Sequence, residues 1–172
     1  NKDTMVSNIN FDLNHQNYDF STNFQIFEEF GKKNSDRYQY ILPSYEFSKT
    51  LDIDNVDGTI NFSSTGSNNL KNTNNLRTNV SNNFSFNSKS YYFQNGLKNN
   101  YNLYFKNLNV VGKNDPSYKS SPSIKGMNIA EVNTSFPLVK ITKNKNETLT
   151  PKLSFRINPG NNMEDLSLSN RS

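Results

Sequence analysis

The sequence predicts an all-β fold, an antiparallel up-and-down meander of about eight long strands, and three observations carry that expectation. Residues of one parity are repeatedly apolar while their neighbours are polar. Clusters of turn-forming residues separate these alternating stretches. The longest uninterrupted apolar runs are fragments such as Tyr91-Tyr92-Phe93 and Pro137-Leu138-Val139, far short of the roughly 18 residues of a membrane helix.

The elements follow in order. A first strand is expected at 4–14, where Met5, Ser7, Ile9, Phe11 and Leu13 share one parity. After the turn His15-Gln16-Asn17 a second is expected at 17–29, with Tyr18, Phe20, Thr22, Phe24 and Ile26 opposed to Asp19, Ser21, Asn23 and Gln25. Successive strand side chains point to opposite faces, so each stretch has one apolar and one polar face. Gly31 to Asp36 makes a turn into a third strand at 36–51, and Asp52 to Gly58 a turn into a fourth at 57–68, begun by Ile60 and Phe62.

The fifth strand, 73–89, carries the clearest signal. Leu76, Thr78, Val80, Asn82, Phe84 and Phe86 oppose Arg77, Asn79, Ser81, Asn83, Ser85 and Asn87. Asn68 to Asn75 precedes it, and Gln94-Asn95-Gly96 leads to a sixth strand at 97–112 holding Tyr101, Leu103 and Phe105. A long loop from Gly112 to Ser123 is followed by strands at 124–141 and 147–159 around a turn at Lys143 to Asn146, the last showing Leu153, Phe155 and Ile157 against Lys152, Ser154 and Arg156. Pro43, Pro137 and Pro151 fall on expected strand positions. A proline removes a ladder donor, so each marks a bulge or weak point in the ladder, or else the end of a shorter strand.

Only 32% of the 172 residues are apolar, against nearly half in an ordinary globular domain, so a single conventional core is under-supplied. Disorder fits poorly too, since disordered chains lack aromatics and this one has 13 Phe and 9 Tyr. Strands of this length with two unlike faces suit the wall of a transmembrane barrel, apolar outward and polar inward. Tyr38, Tyr40, Tyr91, Tyr92, Tyr101 and Tyr104 near expected strand ends suit its aromatic girdles. A soluble antiparallel sheet shows the same alternation, and that alternative stays open.

The net charge of +4 is mild and spread along the chain, which argues against nucleic acid. The absence of Cys removes disulfides and thiolate chemistry. The chain opens at Asn1-Lys2-Asp3 without an initiator Met or leader, and residues 1–172 are expected to be one partial barrel domain cut at both ends. His15 is the sole histidine, with no cluster of ligands beside it, and reads as a surface residue. Glu28-Glu29 and Asp52, Asp54 and Asp57 lack the spacing of a calcium loop and read as solvated turns. Sequons at Asn61, Asn79, Asn83, Asn133, Asn146 and Asn170 are expected by chance among 33 Asn. No phosphate loop, nucleophile triad or nucleotide fingerprint occurs, so neither an enzyme nor a cofactor or metal site is expected.

The run Arg37-Tyr38-Gln39-Tyr40-Ile41-Leu42-Pro43-Ser44-Tyr45-Glu46-Phe47-Ser48, with Ser135-Phe136-Pro137-Leu138-Val139 and Thr148-Leu149-Thr150-Pro151-Lys152-Leu153-Ser154-Phe155-Arg156, resembles barrel strands of the lipopolysaccharide-assembly protein LptD family, also called the organic solvent tolerance protein OstA family. The resemblance implies an interior part of a large barrel in the outer membrane of a Gram-negative bacterium. It implies a translocon that delivers lipopolysaccharide to the outer leaflet, a conduit and not a catalyst. The implied partners are a plug lipoprotein of the LptE type, a periplasmic bridge of the LptA type reached through an N-terminal domain, and outer-membrane lipids. The family's inter-domain cysteines have no counterpart here. By the family's hairpin parity, the turns near 113–123 and after 159 face outward and those near 15, 54, 93 and 144 face the periplasm.

Arg77, Lys152 and Arg156, on the polar parity, are the lumen-lining candidates for contact with lipopolysaccharide phosphates. A solvated lumen position is the plainer reading of all three. A porin- or receptor-type barrel for solute uptake, and a soluble cell-surface β-domain, are the competing functions.

Overall fold

The computed structural model describes residues 3–51, 55–143 and 145–160. The described chain is built of strands, joined by turns and one short 3-10 turn at Asn34–Arg37. The strands are β1 (Thr4–His15), β2 (Tyr18–Glu29), β3 (Tyr38–Leu51), β4 (Gly58–Lys71), β5 (Asn75–Ser88), β6 (Tyr91–Tyr92), β7 (Lys98–Lys113), β8 (Ser123–Ser135), β9 (Leu138–Thr142), β10 (Lys145–Leu149) and β11 (Lys152–Ile157). Their order in the main sheet is β1-β2-β3-β4-β5-β7-β8-β11, antiparallel throughout, with the short β6 folded onto the start of β7. The sheet is open, since β1 and β11 are its two edges and do not pair with each other.

Directly opposed residues of antiparallel strands share a face, so the parity read from one strand propagates across the sheet. Phe62, Phe84 and Phe105 form one row of the apolar face. Ile60, Phe86, Leu103, Ala130 and Ile157 form the next. Among the described residues the apolar face has no second layer over it. Val110, 5% exposed, is the only buried large apolar side chain among the described residues, whereas Ile9, Phe11, Phe24, Phe84, Leu103 and Phe105 are exposed.

The strands climb steadily across the sheet. The row that starts at His15, the last residue of β1, passes through Tyr18, Lys49, Phe62, Phe84 and Phe105 to Asn128, seven residues before β8 ends at Ser135.

The three prolines act in two ways. Pro43 lies inside β3 after a cis peptide bond, and the ladders on both sides shift register there, Leu42 and Pro43 opposing a single residue on each neighbour. This is a β-bulge. Pro137 and Pro151 instead interrupt what the alternation predicts as continuous strands at 124–141 and 147–159. β8 stops at Ser135 and β9 starts at Leu138, while β10 stops at Leu149 and β11 starts at Lys152. The register is the same on both sides of the break, Ser135 facing Lys152 and Leu138 facing Leu149. One long hairpin is therefore cut where two donors are missing, and the bond from Phe136 N to the Pro151 carbonyl, 3.0 Å, is the last before the gap.

Other boundaries shift modestly. β4 runs to Lys71 instead of 68, leaving Asn72, Thr73 and Asn74 as the turn, with Asn72 and Thr73 at positive φ. Gly96 has φ 86° in the turn before β7, and the Phe136 ring lies 3.1 Å from where its Cβ would be.

Candidate functional site

The polar face is concave. Asn10, Asp12, Ser21, Asn23, Glu46, Ser67 and Asn79, drawn from five successive strands, line one depression of about 480 Å³. Gln39, Asn69, Lys71, Arg77 and Asp115 line a second of about 370 Å³ nearer the end of the sheet where β5 begins.

Charge is divided across this face. One row runs Asp12, Ser21, Glu46, Thr65, Ser81, Leu108, Lys125 from β1 to β8. Asp19 joins the acidic side on β2, while Lys98, Lys106, Lys152 and Arg156 join the basic side on β7 and β11. Asn61, Ser63, Thr65, Ser81, Asn83 and Ser85 of β4 and β5 form an uncharged floor between them. Within the basic side, Glu131 stands opposite Arg156 and accepts from Asn102 (3.1 Å) and Asn133 (2.7 Å).

The loop between β7 and β8 folds back over this face. Arg77 holds it by a two-pronged pair with Asp115, Nε to Oδ2 at 3.2 Å and Nη2 to Oδ1 at 3.1 Å, and its guanidinium lies 4.5 Å from the Tyr118 ring centroid. Asp115 also accepts from the amides of Ser117 (2.7 Å) and Tyr118 (3.1 Å). Burial pushes the Asp115 carboxyl up, but the hydrogen bond from Arg77 and those two amides outweigh it and hold the group below its ordinary value of 3.8. Gly112 is required by this fold-back, because a Cβ there would meet the Tyr118 Cβ at 2.7 Å.

Arg77, Lys152 and Arg156 share the polar face, but the structure does not bring them together. Arg77 stands near the start of β5, engaged by the loop, while Lys152 and Arg156 lie on the edge strand β11 at the opposite end. Lys98, Lys106 and Lys125 complete the basic side and escaped attention in the sequence. The alternation of 98–106 carried the signal, since both lysines share parity with Asn100 and Asn102.

The remaining singled-out residues have local roles. His15 stacks on Tyr18 with ring centroids 4.9 Å apart. Glu28 is taken by Arg37, and Glu29 pairs with Lys32 at 2.7 Å. Asp57 pairs with Lys89 at 3.4 Å, whereas Asp52, Asp54, Asn170 and the segment after 160 lie outside the described residues. Tyr38 and Tyr40 stack at the start of β3, and Tyr91 and Tyr101 pack at the other end. Tyr104 differs, pointing to the polar face opposite Ser85 and Ile129.

No family model matches the chain, and no curated protein matches it.

Proposed function

We propose that the chain is part of the wall of an outer-membrane β-barrel and, within that class, of a translocon that assembles lipopolysaccharide in the outer leaflet. The observation that carries the barrel is the climb of the strands. Roughly one residue per strand, at about 3.3 Å per residue and about 4.8 Å between strands, corresponds to a tilt of about 35°. Transmembrane barrels tilt their strands by about 35–45°. The concave polar face and an uncovered apolar face agree with a lumen inside and lipid outside.

Within the class, the strand motifs around Pro43, Pro137 and Pro151 support the lipopolysaccharide reading, with a plug lipoprotein and a periplasmic bridge as partners and no catalytic step. Lys152 and Arg156 meet head-group phosphates on the basic side of the lumen. Replacing both by Gln leaves the ladder intact and slows the appearance of lipopolysaccharide at the cell surface when the full-length protein is the only copy. Unchanged delivery, with the protein correctly inserted, sinks this role.

A solute-conducting barrel is the second reading, favoured by the opposed acidic and basic sides of the concave face. In that case Lys106→Gln with Lys125→Gln shifts ion selectivity in planar bilayers towards cations.

A further inference from the structure

The hairpin beyond the proline break belongs to neither face of the wall. β7 begins at Lys98, opposite Ser135, and among the described residues β9 and β10 pair only with each other. The ribbon reaches about 23 Å past the row, seven residues at about 3.3 Å each. Every described residue in it is exposed, Ile141 at 77%. A lone two-stranded ribbon is at best marginal in water, so it needs a medium or a partner to lie against.

Its chemistry selects one. Val139 and Ile141 stand on one side, and Leu138 and Leu149 on the other. Apolar groups on both sides suit immersion better than docking by a single face. Lys140, Lys143 and Lys145 outnumber the one acid, Glu147, which pairs with Lys145 at 3.2 Å. At the root of the ribbon stand Tyr91, Tyr92 and Phe93, all exposed, with Lys98 5.5 Å from the Tyr92 ring centroid. Apolar side chains and lysines along the arm, with aromatic rings at its root, are the makings of a bilayer interface anchor.

We propose that this arm is a membrane anchor that lies on an anionic lipid surface, with Val139 and Ile141 at the boundary of headgroups and acyl chains and Lys140 and Lys143 on the lipid phosphates. Lysine stems are long enough to carry their charge back to the headgroups from either side of the ribbon. The break at Pro137 and Pro151 lets the arm bend from the strand direction onto that surface. The inference extends the barrel reading to this end of the sheet, but its test is separate.

The chain holds no tryptophan, so Ile141→Trp in the whole chain makes a single reporter in an exposed arm. It is mixed with vesicles of phosphatidylcholine alone, or of phosphatidylcholine with phosphatidylglycerol. The expected result is a blue-shifted emission, quenched by shallowly brominated lipid, with binding at least about tenfold tighter on the anionic vesicles. Lys140→Gln with Lys143→Gln, made on the same reporter, abolishes that preference. Equal binding to both vesicles, or emission that stays in water on both, overturns the anchor. So does a shift that tracks protein concentration without lipid, which marks a second copy as the occupant. Phe84→Trp reads the wall independently. If it remains open to aqueous quencher while Ile141→Trp still follows anionic lipid, the barrel fails and the anchor stands.

Discussion

Ser64, Asn82, Asn107 and Asn109 are polar residues on the apolar face, and their bonding bears on whether that face can leave water. Tyr45 Oη lies 3.1 Å from Ser64 Oγ, Ser64 donates to Asn82 Oδ1 at 2.7 Å, and Asn82 donates to Asn107 Oδ1 at 3.1 Å. Asn109 donates to the same oxygen at 2.6 Å, and Asn107 donates to the Lys125 carbonyl at 3.1 Å. The Tyr45 ring reaches this chain by lying over Gly66, where a Cβ would come within 2.4 Å of it. Polar groups that satisfy one another tolerate a dry surround that isolated ones do not. Asn82→Ala should therefore cost about 1 kcal/mol in lipid, read from unfolding in vesicles, because it orphans the Ser64 donor. In a water-facing sheet the same change is nearly neutral, since water takes the vacated place. The Arg77–Asp115 pair gives a second prediction, in acid. A carboxyl whose folded value is depressed contributes stability that is fully present above its ordinary value, here 3.8, and is lost as pH falls through the folded value. Amide protection at Ser117 and Tyr118 should thus hold at neutral pH and fall below pH 3.8. Asp115→Asn should show the loss at neutral pH.

At the scale of elements, what was legible in the sequence is what depends on one strand at a time. The parity of Leu76 to Asn87 places β5 and its faces correctly, because alternation is local to the strand. What depends on a partner was not legible. Pro137 and Pro151 cut the hairpin because the register sets them in adjacent opposed pairs, a fact of two strands together. The fold-back of the β7–β8 loop rests on Asp115 meeting Arg77, 38 residues away in the chain. For the same reason the sequence offered Arg77 as a free lumen cation, whereas its guanidinium is already engaged. The proline account is testable by restoring the missing donors. Pro137→Val with Pro151→Val should join the two ladders, raising amide protection across Leu138–Thr142 by about tenfold or more. Unaltered exchange there would mean that something other than the missing donors keeps the ribbon apart.

At the scale of the whole molecule, the governing fact is a sheet with an open edge and an apolar face that nothing among the described residues covers. β1 presents an unpaired edge along Thr4–His15 with no proline or lysine, no register shift against β2, and Asp12 as its only acid. Such an edge is a template for another strand. In a barrel that strand is the next one in the wall, and Ile9, Phe11 and Leu13 continue the lipid-facing rows that begin on β2. In water, without detergent or lipid, the 172-residue chain should associate through this edge and its apolar face. Sedimentation should show large species that disperse in a mild detergent. A lysine on the apolar side, Ile9→Lys, should reduce the association, because the added charge must be stripped of water when a second edge approaches. A monodisperse monomer of the unaltered chain in plain buffer would contradict the membrane wall. It would require that the exposed rows through Phe84 and Phe105 be tolerated by water alone, which leaves a soluble cell-surface domain as the better account.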